Sequence, residues 1–134
     1  MSCSIFVVCR DIPLSVVSKY STSTPFYGHV YGKLCFGQGE TGDFESSERS
    51  GRLALDYMPL DNWSHHALAH NFEESGRAEQ GSKFLSNTED QWTMGTTFSL
   101  HLWWHEALMS IQNGDIDSAV ALYDNTIGPM AMKG

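Results

Sequence analysis

Basic residues are scarce in this chain. Eight Lys and Arg stand against sixteen Asp and Glu, a formal net charge of −8. Such a balance repels phosphate backbones and argues against a general nucleic-acid binder. Long apolar runs are missing too: no stretch approaches the roughly 18 residues that a membrane-spanning helix needs. The run Ile5-Phe6-Val7-Val8-Cys9 has no basic segment before it and is interrupted by Arg10-Asp11, so it reads as a poor signal peptide. Cysteine is sparse. Cys3, Cys9 and Cys35 have no metal-ligand spacing and cannot all pair, which points to a reducing, cytoplasmic setting. Four prolines and twelve glycines in 134 residues exclude collagen-like and Pro/Gly-rich disordered chains. Length and apolar content are those of one globular domain, or a piece of one.

What is present is a repeat. Glu40-Thr41-Gly42-Asp43-Phe44, Glu74-Ser75-Gly76-Arg77-Ala78 and Gln112-Asn113-Gly114-Asp115-Ile116 each place a Gly after a helical run and an apolar residue two places later, with Gly spacings of 34 and 38. A period of 34 is that of the tetratricopeptide helix–turn–helix unit. The longer interval fits if four residues are inserted in the polar stretch Gln91 to Thr97.

Helical periodicity flanks each Gly. Before Gly114, the apolar stripe is Leu100, Trp103, Trp104, Ala107, Leu108 and Ile111; after it, Ile116, Ala119, Val120, Tyr123 and Ile127. Asp115 is placed to cap that second helix and Pro129 to end it. Phe44, Ser47, Gly51, Ala54, Leu55 and Met58 share a face, Pro59 stops the run, and the small Ser47 and Gly51 admit a close neighbour. Asp61 can cap the next helix, from Trp63 to Glu74, with Gly76 as its left-handed terminator. The spacing therefore predicts an all-α chain of six helices in about three hairpins, with repeats near 28–61, 62–95 and 100–129 in a domain over 25–134. Residues 1–24 fit less well and read as a loop or frayed helix.

The stretches Pro25 to Gly39, Leu60 to His70, His101 to Leu108 and Gly114 to Asp124 resemble tetratricopeptide repeat protein 38 and its relatives, over roughly residues 24 to 134. The resemblance implies an α-solenoid whose concave groove is lined by the first helix of each repeat. Members of that family are several times longer, so it also implies a middle portion of a longer chain. It implies no particular activity.

The histidines carry the most chemistry. His66 and His70 are spaced i, i+4, with Glu73 three further on, and His101 and His105 are again i, i+4. On a helix each set shares one face. By the resemblance, all five positions line the groove, along with His29 and Trp104. Four imidazoles and a carboxylate on first helices of consecutive repeats form a candidate metal set, with zinc or iron as the ion. Glu73 or Glu74 would serve as a base or further ligand. The bland alternative is imidazoles satisfying one another or a bound peptide. A metalloprotease motif begins at His105-Glu106 but has Met109 in place of its second His.

Other motifs are weak. Gly37-Gln38-Gly39-Glu40-Thr41-Gly42 matches G-x-G-x-x-G, yet the residues before it read as helix, not strand, and Glu40 and Asp43 would repel a pyrophosphate. Trp103 falls where these repeats bury an aromatic, and Trp104, one residue round the helix, is the more exposed of the two. No serine sits in a nucleophile elbow, so no catalytic residue is named. The first reading is a protein-interaction scaffold whose groove holds a neutral or cationic peptide, or another part of a longer chain. The alternative is a metal-binding domain or metal-dependent enzyme using the four histidines.

Overall fold

The computed structural model describes residues 5–94 and 97–132; readings that fall on 1–4, on 95–96 or on 133–134, Cys3 among them, lie outside the described residues. Among these, all regular structure is helical. In chain order the helices are α1 (Ile5–Val17), α2 (Tyr27–Gly39), α3 (Phe44–Tyr57), α4 (Asn62–Glu74), α5 (Ala78–Asn87), the short α6 (Glu89–Trp92), α7 (Thr97–Gln112) and α8 (Ile116–Leu122). A π-helical stretch, Tyr123–Ile127, and the short α9, Gly128–Ala131, follow α8. The chain packs as two compact units, residues 1–71 and 72–134.

The three glycine turns share one construction. Gly42, Gly76 and Gly114 have φ of 83°, 71° and 81°, the left-handed region that costs an L side chain about 1–2 kcal/mol. Each glycine N–H donates to the carbonyl three residues back: Gly39, Glu73 and Ile111 respectively. The next residue donates five back, Asp43 to Gln38, Arg77 to Phe72 and Asp115 to Ser110, at 2.8–2.9 Å. This is the Schellman arrangement, which satisfies carbonyls left over at a helix end. Asp43 and Asp115 then cap the following helices, accepting from the N–H of Ser46 and Ser118; Arg77, at the third such position, provides no side-chain cap.

In the first unit, α2 packs against α1 and α3. The predicted face of α3 is the buried one: Ser47, Gly51 and Ala54 are covered, together with Ser50. A Cβ on Gly51 would lie 2.6 Å from Leu68 Cδ2 and 2.8 Å from Cys35 Sγ. Ser47 Oγ donates to the Cys35 carbonyl at 2.8 Å. Pro59 follows the end of α3, as its missing N–H requires. Cys9 and Cys35 are free thiols.

Four features differ from the sequence reading. Residues 5–17, within the segment expected as loop or frayed helix, form α1. It spans Pro13 and buries none of its residues fully; its backbone rests on Gly37, where a Cβ would meet Arg10 Cα at 2.5 Å. In α7 the covered residues are Ser99, Leu102, His105, Ala107, Met109 and Ser110, whereas Trp104 and Ile111 of the expected stripe are 47% and 50% exposed. Pro129 does not end the last helix. The π-helical register lets Gly128 N–H donate to Tyr123, the ring is absorbed at the first turn of α9, and helical bonding continues to Met132. An extra short helix, α6, begins at Glu89, ahead of the stretch Gln91 to Thr97 where the insertion is expected; it is anchored in the second unit by Trp92 Nε1–H on the Leu85 carbonyl at 2.9 Å and by Ser99 Oγ–H on the Trp92 carbonyl at 2.7 Å.

Candidate functional site

In the first unit, α4 starts from a turn at Asp61. Its Oδ2 accepts from Ser64 Oγ at 2.6 Å, which holds the first turn of the helix. One turn on, His66 and His70 face each other, Nε2 to Nε2 at 3.0 Å, with ring centroids 4.5 Å apart and planes at 81°. Nδ1 of His70 lies 3.5 Å from Glu40 Oε1, at the end of α2. Phe36 stacks on His66 and sets its ring edge against His70, at 6.1 and 5.6 Å between centroids. Trp63 packs on His66 at 5.4 Å. Lys33 Nζ sits over the Trp63 ring, 3.3 Å from its centroid; burial pushes its pKa down, against the opposing pull of Asp61.

The second unit carries a matching pair. His101 and His105 have centroids 4.7 Å apart and planes at 80°. His105 is buried, His101 exposed. His105 Nδ1 is 2.8 Å from Glu73 Oε2, so Glu73, read from spacing as a base or ligand, serves here as the partner of an imidazole. Both pairs thus include a His whose Nδ1 faces a carboxylate. A carboxylate accepting from Nδ1–H leaves Nε2 with its lone pair, the form in which imidazole binds a metal. In tetrahedral sites with bonds of about 2.0–2.1 Å, ligand nitrogens sit about 3.4 Å apart, close to the 3.0 Å between His66 and His70.

Other named residues lie elsewhere. His29 is on α2, stacked on Phe26 at 5.7 Å, with Nδ1 3.2 Å from Asp61 Oδ2. Trp104, with Ile111, Ile116, Val120 and Tyr123, lines an open apolar hollow of about 260 Å³ in the second unit. Trp103 packs edge-on against buried Trp92 at 4.8 Å. Met109, at the second-ligand position of a metalloprotease, is fully buried. Gly37 and Gly39 of the glycine-rich match lie within α2, so no strand precedes a phosphate loop there.

Sequence reasoning missed Glu40, Phe36 and His65. His65 is fully buried, with Nδ1 3.1 Å from the Asp61 carbonyl, and braces the start of α4. Glu40 stands thirty residues before His70, and no spacing rule links them. No protein-family model matches the chain, and no solved structure matches it.

Proposed function

We propose that the chain is a tetratricopeptide-like module, a stretch of α-solenoid that acts by binding a peptide or another segment of a longer chain. The observation that carries this reading is the recurrence of a helix–turn–helix at Gly42, Gly76 and Gly114, whose first interval of 34 residues equals the tetratricopeptide period. The exposed Trp104, Tyr123 and Ile116 provide aromatic and aliphatic anchors of the kind that dominate binding energies. The charge of −8 favours neutral or cationic partners. Fluorescence polarisation with neutral, basic and acidic peptide panels tests it. Neutral or basic aromatic peptides bind, acidic ones do not, and Trp104→Ala weakens binding by about tenfold or more. A folded protein that takes up none of these peptides overturns the reading.

A second reading is supported by the matched carboxylate partners. His66 and His70 in the first unit, and separately His101 and His105 in the second, would each offer a pair of imidazole ligands to a transition metal, zinc or iron, with Glu40 and Glu73 orienting one ring of each pair. Metal analysis of purified protein tests it. Bound metal that is lost when His70, or His105, becomes Ala supports the pair concerned as ligands. Protein that stays metal-free after incubation with zinc or ferrous iron overturns it.

A further inference from the structure

The second unit contains a cavity apart from its histidines and from the Trp104 hollow. It has a volume of about 580 Å³ and lies among α5, α6, α7, α8 and the π-helical stretch. Its ionisable lining residues are Glu89, Glu106 and Asp115, with no Lys or Arg; Trp92 and Trp103 form an aromatic wall, and serines and amides supply most of the rest. The wall is held rigid by the Trp92–Leu85 hydrogen bond and the edge-on contact of the two indoles.

Glu106 projects from α7, one residue from the buried His105. Its Oε2 is buried without a hydrogen-bond partner, and so is Ser82 Oγ across on α5. Polar groups left in this state are costly, and charged ones more so. Burial raises the Glu106 pKa, partly offset by the nearby Ser82 hydroxyl. A carboxylate with no Lys or Arg in the cavity lining, a neighbouring hydroxyl and an indole face form a complementary set for a small cation that also donates hydrogen bonds. Asp115 is committed to the Ser118 N–H and hydroxyl, which leaves Glu106 and Glu89 to meet the charge.

We propose that this cavity binds a primary alkylammonium group, with Glu106 as its counter-ion, Ser82 as a hydrogen-bond acceptor and Trp103 as a cation–π face. The group comes from a free aliphatic polyamine or from a lysine side chain. The site is separate from the peptide surface and the histidine pairs, and its failure would leave both of those readings standing.

Titration calorimetry with spermidine, with Nα-acetyl-lysine amide and with tetramethylammonium, at fixed ionic strength, tests this. Spermidine or the lysine amide binds and tetramethylammonium, which cannot donate, does not; which of the first two binds more tightly identifies the source. Glu106→Gln weakens binding by about tenfold or more, as loss of a charge partner should. Glu79→Gln, an exposed acid of the same unit, leaves it unchanged. Ser86→Lys, an exposed cavity-lining substitution on α5, puts an ammonium into the space and abolishes binding without requiring any change at Glu106. The proposal is overturned if neither amine binds up to about 10 mM, a floor near 3 kcal/mol of affinity. It is equally overturned if Glu79→Gln and Glu106→Gln weaken binding alike, which would mark diffuse attraction to an acidic protein.

Discussion

Glu73 Oε2 and His105 Nδ1 stand 2.8 Å apart although thirty-two residues separate them in the chain. The carboxylate selects the tautomer that protonates Nδ1 and leaves the far nitrogen of the ring as an acceptor. In metal sites such partners govern ligand basicity and orientation, and their loss typically lowers affinity about 10–100-fold. On the metal-binding reading proposed above, Glu73→Ala weakens zinc binding by that factor, read by competition with a chromogenic chelator. Equal affinity in the two proteins would remove the carboxylate from the site.

Close helix packing at glycine makes a second prediction. A Cβ at Gly51 meets Leu68 and Cys35, and one at Gly81 would lie 2.5 Å from Met109 Sδ and 2.8 Å from Phe72 Cβ. Both alanine variants gain helix propensity of about 1 kcal/mol yet crowd a packed core. Gly51→Ala and Gly81→Ala should each lose about 1–3 kcal/mol on balance, seen as a lower urea midpoint. Unchanged midpoints would show that the neighbouring side chains yield freely.

The thiol of Cys35 makes a third. Burial pushes its pKa up to about 12, and the thiolate is the reactive species. In a Cys3→Ser, Cys9→Ser variant, the remaining thiol should stay silent to a thiol-disulfide reagent at pH 8 until denaturant exposes it. Prompt labelling of the folded protein would contradict the packing of α2 against α3.

Glu106 makes a fourth. Its folded-state pKa lies above the ordinary 4.5, so between the unfolded and folded values the native state holds more protons. Stability therefore falls as pH rises through that window and stays at the lower level above it. Glu106→Gln, neutral at every pH, should melt at a higher temperature than the parent at pH 7, with the gain disappearing below pH about 4. A gain of the same size at both pH values would point to packing instead of charge.

Parts of this were readable in advance. Gly42, Gly76 and Gly114 stood out because only glycine adopts their φ cheaply, and the buried face of α3 followed from its apolar and small residues. The two imidazole pairs were visible because i, i+4 spacing is a property of one helix. The buried face of α7 was not, since Ser99 and His105 occupy positions that a hydropathy pattern marks as solvent-facing. Nor was α1, which buries no residue fully and meets Gly37 through its backbone.

Local order along the chain was enough to specify helices, their turns and the pairing of each His with its neighbour four residues away, because those depend on backbone sterics and a 3.6-residue period. The partners of the rings were not specified that way. Glu40 beside His70, Glu73 beside His105, and Ser82 across from Glu106 come from different helices, and contacts between helices depend on how side-chain volumes pack, which no short-range pattern records.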